Sequence, residues 1–202
     1  MHLRCSSCSY TRGTEPTEDS RHGQVVEVST ATNDPRPLVV TLLLDSPAQE
    51  RFEAQRAELF PRGRTAVGAH VTLFHALPGP LRRDVEDELA RLTADTPPFP
   101  VGVTEVFPLG RGVAYRLVAP GAELVHRRLA DRWRPHLTRQ DAQPFRPHVT
   151  VQNKVEPDVA KATLDRLRRS FRPHTTAGVA LELWRYDGGP WTLLRRWRFN
   201  SP

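Results

Sequence analysis

The chain has 202 residues, enough for one well-packed domain or two small lobes sharing a core. No uninterrupted apolar stretch approaches the roughly 18 to 20 residues that a membrane span needs, and Met1 to Tyr10 carry no apolar signal region, so a soluble cytoplasmic protein is expected. The net charge is +6, and residues 1 to 36, with four Arg and five acidic residues, contribute none of the positive balance; of the 29 basic residues 27 are Arg, whose planar fork suits phosphate. Arg-rich stretches are also common solvated faces, so charge alone leans only slightly toward an anionic partner.

Residues 1 to 36 are rich in Ser, Thr, Glu, Arg and Gly and read as a disordered or loosely attached extension. Cys5 and Cys8, the only cysteines, are spaced C-x-x-C there, with His2 and His22 nearby, but the spacing of a zinc knuckle is absent. They read as incidental thiols, and neither a metal nor another cofactor is expected.

The fold is expected over 37 to 202. Leu38 to Leu44 is an apolar, β-branched run of strand length. Ser46 is placed to cap a helix with Pro47 in its first turn, and Ala48, Phe52, Gln55 and Leu59 then follow helical spacing. A strand over 69 to 77 ends at Pro78-Gly79-Pro80, and Leu81, Val85, Leu89 and Leu92 make the stripe of a second helix. Strands near 99 to 107 and 112 to 118 suit a hairpin through Leu109 to Gly112. Ala122, Val125, Leu129 and Trp133 mark a third helix, 148 to 155 a strand, and Ala160, Leu164, Leu167 and Phe171 a fourth helix. Strands at 177 to 186 and 191 to 199 close the chain around Asp187 to Pro190, and Trp184, Tyr186, Trp191 and Trp197 there read as core or hairpin pairs.

The two halves share one order: apolar strand, helix, His-x-Thr strand, helix, strand. The tetrapeptides His70-Val71-Thr72-Leu73 and His148-Val149-Thr150-Val151 occupy equivalent places in it. The expectation is an α+β, bilobal, duplicated fold with helices outside and pseudo-two-fold symmetry, which brings equivalent strands to a central cleft. Strand alternation puts His70, Thr72 and Phe74 on one face, and His148, Thr150, Gln152 and Lys154 on one face, opposite Val and Leu core faces. His75 falls on the face opposite His70 and reads as structural.

Two imidazoles and two hydroxyls converging on one volume suit acid-base chemistry on a phosphodiester. A neutral imidazole takes a proton from water, an imidazolium gives one to the leaving oxygen, and the hydroxyls hold the non-bridging oxygens. No Asp or Glu lies in 69 to 77 or 147 to 155, so a metal site there lacks carboxylate ligands. Phe74 is a candidate base-stacking residue, and Arg146, Gln152 and Lys154 are candidate substrate ligands by location alone.

The paired HVTL and HVTV, in this duplicated order, resemble the 2H phosphoesterase superfamily, in particular its bacterial 2′-5′ RNA ligase-like branch, over roughly residues 37 to 199. The resemblance implies a bilobal α+β fold with antiparallel sheets around a cleft. It also implies a metal-independent cyclic phosphodiesterase acting on RNA ends or related nucleotides; ligation of 2′-5′ ends, the reverse reaction, follows by microscopic reversibility as the minor direction in dilute water. By position, His70 and His148 match the catalytic histidines, and Thr72 and Thr150 the phosphate-binding residues. Expected partners are RNA ends or nucleotides, with no obligatory protein partner, the chain acting as a monomer. The alternative is an RNA- or nucleotide-binding module that uses the same cleft without significant turnover.

Overall fold

The computed structural model describes residues 34–61 and 67–200. The segment 1–33, with Cys5, Cys8, His2 and His22, lies outside the described residues. In chain order the elements are β1 (Leu38–Leu44), α1 (Ser46–Leu59), β2 (Val71–Leu77), α2 (Arg82–Ala94), β3 (Phe99–Pro108), β4 (Val113–Val118), α3 (Pro120–Trp133), β5 (His148–Gln152), α4 (Pro157–Ser170), β6 (His174–Tyr186) and β7 (Trp191–Arg198). The order follows the hydrophobic periodicity. Several boundaries differ: β2 begins at Val71, β5 stops at Gln152, β6 begins at His174, and Asp45, not Ser46, caps α1, its carboxylate accepting the Ala48 N–H at 3.1 Å, so Ser46 and Pro47 fall inside the first turn.

All strand pairs are antiparallel, in the order β2-β1-β6-β3-β4-β5, with β7 also on β6. The long strand β6 pairs with β1 along one edge; along the other it meets β3 at residues 174–178 and β7 at 180–186. The sheets expected for the two halves are therefore continuous through β6. The outermost strands, β2 and β5, also come into contact, so the sheet curls until its edges approach. Those edges carry the two His-x-Thr motifs. Among the described residues no helix is long and apolar enough to cross a membrane.

Register sorts the faces. Val71, Leu42, Leu181 and Trp197 stand side by side across β2, β1, β6 and β7, all buried. Burying each such side chain is worth about 1.5–3 kcal/mol. The next row, Thr72, Thr41, Glu182 and Arg196, faces the other way and is polar throughout. Its members hold one another: Thr41 donates to Glu182 at 3.3 Å, Arg196 donates to Glu182 at 2.8 Å, and Trp184 Nε1 donates to the Thr41 hydroxyl at 2.9 Å.

Strict alternation fails just beyond each motif threonine. In β2, Thr72 is opposite Thr41 but Phe74 is opposite Val40, so one extra residue is accommodated between them. In β5, Thr150 is opposite Ala114 and Gln152 is opposite Val113, the same irregularity at the same place. Each bulge turns the following side chains to the face opposite the one alternation assigns. A second irregularity before Leu77 sets the core positions of β2 three apart, at Val71, Phe74 and Leu77.

At the end of the expected N-terminal extension, Arg36 donates to Asp34 and to Asp187 in the β6–β7 turn, the latter at 2.9 Å. The backbone of these residues crosses Gly79 so closely that a Cβ there would lie 2.0 Å from the Asp34 carbonyl oxygen. Only glycine fits under that crossing.

Candidate active site

His70 and His148 are held in the same way. Nδ1 of His70 lies 2.8 Å from the Gly68 carbonyl oxygen, and Nδ1 of His148 lies 2.9 Å from that of Arg146. A carbonyl only accepts, so Nδ1 carries the proton in both rings and Nε2 is left for the site. A neutral ring so fixed offers Nε2 as a base; a protonated one offers Nε2–H as an acid. Pro147 keeps Arg146 extended and brings its carbonyl under the ring.

Arg56 of α1 ties β5 to the segment that leads into His70 and β2. It is buried, donates through Nη1 to the Thr150 carbonyl at 2.6 Å and through Nη2 to the Val67 carbonyl at 3.1 Å, and lies 4.0 Å from the Phe60 ring centroid. Burial lowers its guanidinium to about 10, which leaves it charged at neutral pH. Thr150 sits partly exposed on the face of His148, as Thr72 sits on the polar row beside Thr41.

The surroundings of the two rings differ. Trp191 packs on His70 with ring centroids 4.9 Å apart. Burial is the main cause that lowers His70 to about 4; the charges of Arg56, His148 and His75 add to it, and the Gly68 carbonyl opposes it. The strands that follow His70 and carry His148 are in contact at the curled edges of the sheet. His148 instead meets the edge of Phe107 at 6.2 Å, and Phe107 is covered by Arg116, which pairs with Glu105 at 2.9 Å.

Two cavities flank the histidines. One of about 300 Å³ lies beside His70, with Gln49, Glu53, Glu182, Trp184 and Arg196 among its walls. The other, of about 140 Å³, is lined by Thr72, His75, Asp141, Arg146 and His148, with Gln140 and Gln143. Among the described residues no three His, Cys, Asp or Glu side chains are grouped as metal ligands.

Of the residues placed with the motif histidines by alternation, three lie elsewhere. Phe74 is fully buried, its ring stacked on His126 at 4.8 Å and edge-on to Trp133 at 5.5 Å, so it fills the core under α3 and stacks no base. Gln152 is buried at the matching place in β5, donating to Thr163 of α4 at 2.9 Å. Both are turned inward by the bulge one residue after the threonine. Lys154 lies beyond the end of β5, exposed, at φ 59°, in a depression with Gly110, Arg111 and Glu156 rather than with the histidines. Arg146 does line the site, and its side chain makes no ion pair among the described residues.

The same bulge brings His75 to the cavity that holds Thr72 and His148. Its ring donates from Nδ1 to Asp141 at 2.9 Å, and Asp141 also accepts the N–H groups of His75 and Ala76 and the Thr138 hydroxyl. These bonds outweigh the burial of Asp141 and hold its carboxyl below the usual range. Asp141, Arg56, Trp191 and Phe107 are invisible to motif reading; the one available signal was Arg56 itself, a charge on the buried stripe of α1, one turn beyond Phe52.

Several solved structures share this fold. Escherichia coli LigT complexed with 3′-AMP is 20% identical over 83% of this chain and 100% of that one, with a TM-score of 0.54. TT0787 of Thermus thermophilus is 18% identical over 82% of this chain and 98% of that one, with a TM-score of 0.56. A structure described as a phosphoesterase is 21% identical over 83% of this chain and 100% of that one, with a TM-score of 0.54. At such identities the likeness is one of fold. No curated protein sequence matches the chain. The profile of the 2′-5′ RNA ligase superfamily, however, matches residues 44–190, which takes in both histidine motifs and more than half of the molecule. The curled antiparallel sheet and that match together place the chain in the 2′-5′ RNA ligase superfamily of 2H phosphoesterases.

Proposed function

We propose that this protein is a metal-independent phosphodiesterase that hydrolyses 2′,3′-cyclic phosphate ends of RNA, or related cyclic or 2′-5′-linked nucleotides, by acid-base catalysis between His70 and His148. The observation that carries this reading is the matched pinning of the two imidazoles, each by its Nδ1–H on the carbonyl two residues before it, with neither Nε2 hydrogen-bonded among the described residues and the two motifs at neighbouring strands.

Burial favours the neutral form of His70, so His70 is the base. Its Nε2 takes a proton from water as the water oxygen bonds to phosphorus. The bond from phosphorus to one ribose oxygen breaks, and His148 Nε2–H delivers a proton to that oxygen. The product is a ribose monophosphate with the other hydroxyl free. Each proton transfer is worth about 10²- to 10⁴-fold. Thr72 and Thr150 donate hydroxyl hydrogens to the non-bridging oxygens, and the Arg56 cation behind them favours the charge gathered there. Substrate phosphate also raises the basicity of His70 once bound, because an anion beside an imidazole favours its protonated form. If a ribose 5′-hydroxyl takes the place of water, the same proton transfers run toward a 2′-5′ linkage.

The test is a screen of 2′,3′-cyclic mononucleotides and short RNAs with cyclic ends in the presence of EDTA, with the product identified as 2′- or 3′-phosphate. Chelator-resistant turnover is expected. Turnover abolished by chelator overturns the mechanism, and tight binding without turnover means a binding module.

A further inference from the structure

The mechanism above leaves the His75–Asp141 pair without a task, although His75 shares a cavity with two of the proposed site residues. The counterpart of His75 in β5, three positions after the motif threonine, is Asn153, so the feature belongs to one motif only. Asp141 orients the ring from behind by accepting Nδ1–H, which leaves Nε2 toward the cavity. The carboxylate has no acceptor capacity to spare: two backbone N–H groups and the Thr138 hydroxyl occupy it as well. Besides Thr72 and His148, which belong to the first phosphate, the cavity offers a ligand the His75 imidazole, which donates from Nε2 in its protonated form, the Arg146 guanidinium and the amides of Gln140 and Gln143.

The dimensions limit the ligand. A volume of about 140 Å³ is well under the 300–1,000 Å³ of typical small-molecule sites, so it admits a compact anionic group and not a nucleoside. His75 is three residues beyond Thr72, roughly 10 Å along a strand at about 3.3 Å per residue, less the contraction of the bulge. That distance passes beyond the phosphate held at Thr72 and reaches the next group along a nucleotide chain.

We propose that His75 and Arg146 form a subsite for a second phosphate group of the substrate, adjoining the phosphate held between His70 and His148. The subsite rests on the hydrolase reading and narrows it: the substrates are multiply phosphorylated, either an RNA end whose preceding phosphodiester occupies the subsite or a nucleotide that carries a second phosphate. Asp141 is the positioning residue of the subsite, and it holds the loop 137–147 against β2 through the same bonds.

The experiment uses the full chain and ligands that need no turnover. Calorimetry compares 3′-AMP with adenosine 3′,5′-bisphosphate, binding to wild type, His75→Ala and Arg146→Ala. Wild type is expected to bind the bisphosphate at least about tenfold more tightly, as charge-assisted bonds to one further phosphate suggest, and each variant is expected to bring the ratio toward one. A merely structural role for His75 lowers affinity for both ligands and leaves the ratio intact. Should His75→Ala fail to fold, Arg146→Ala carries the test, since its side chain is exposed and its carbonyl still receives His148. Equal affinity for the two ligands in wild type, or an unchanged ratio in the folded variants, overturns the subsite. Hydrolysis of 2′,3′-cyclic AMP by a wild type whose ratio is one removes the subsite alone. A tenfold ratio with no hydrolysis of any cyclic substrate removes the hydrolase reading alone. Rates on a cyclic mononucleotide with and without a 5′-phosphate, and on a dinucleotide with a cyclic end, then separate the two sources of the second phosphate.

Discussion

The motif strands β2 and β5 have the same His-Val-Thr sequence, the same clasp on Nδ1 and the same bulge after the threonine, yet their histidines sit in different surroundings. His70 lies under Trp191 and beside the Arg56 charge, which keep it neutral; His148 lies at the edge of Phe107 with Arg116 beyond. Identical local sequence sets the tautomer, and the elements packed around it set the protonation. Under the proposed mechanism, neighbours of this kind are what divide a duplicated motif into a base and an acid.

The sharpest way to break that comparison is to remove each ring. His70→Ala or His148→Ala is expected to lower kcat on a 2′,3′-cyclic nucleotide by at least about 10²-fold, and the double variant by little more than the worse single one, because the two transfers belong to one step. Steady-state rates in EDTA check this. A single variant with full activity sinks the division of labour.

The bulges make the next comparison. Phe74 and Gln152 occupy equivalent places after the motif threonines, but one is a ring stacked among His126 and Trp133 and the other a lone amide bonded to Thr163. Phe74→Ala is expected to cost about 3–5 kcal/mol of folding stability through the cavity it leaves. Gln152→Leu, of similar volume, is expected to cost about 1 kcal/mol, since it strands Thr163 but also removes a buried amide oxygen that has no partner among the described residues. Denaturant unfolding measures both. If Phe74→Ala instead leaves stability intact and weakens only nucleotide binding, the residue faces the site after all.

These two residues also mark where reading the chain fails. The strands, the helices and their order follow from apolar spacing, and the motif pair from its repetition, because both are local patterns. A bulge adds one residue to a strand without altering its composition, and one residue reverses every face beyond it. Alternation therefore puts Phe74, Gln152 and His75 on the wrong side, while ahead of the bulges it matches the observed register, with Thr72 beside Thr41 and Thr150 beside Ala114. Lys154 fails for another reason: β5 ends at Gln152, and alternation has no meaning in the turn that follows. The Asp141 bond to His75 spans 66 positions and the Arg56 bond to Thr150 spans 94, separations at which only the tertiary fold creates the pairing.

Replacing the hydroxyls tests whether the two halves stay equivalent at the phosphate. Thr72→Val and Thr150→Val keep shape and remove one donor each, so each is expected to lower kcat by about 10- to 10²-fold, below or at the loss for a buried oxyanion donor. Single-turnover rates at saturating substrate give the comparison. Losses within about tenfold of one another mean that the phosphate is held symmetrically despite the unequal histidines; a variant with no loss removes its threonine from the phosphate.

The smallest effect separates the rings by pH. Folded His70 titrates near 4 while an unfolded histidine titrates near 6.5, so as pH falls between these values the unfolded chain takes up a proton that the native site refuses. Stability contributed by the neutral ring is therefore present above about pH 6.5 and is lost toward pH 4. In kcat/KM, which reports the free enzyme, the same ring keeps its basic form down to about pH 4, so the acid limb lies well below that of an ordinary histidine. Trp191→Ala lets water reach the ring and weakens the main cause of the depression, which is burial. The acid limb is then expected to move up toward 6.5, and the loss of stability between pH 6.5 and 4 to become shallower. A limb that stays in place shows that the packing of Trp191 on His70 does not set which histidine is the base.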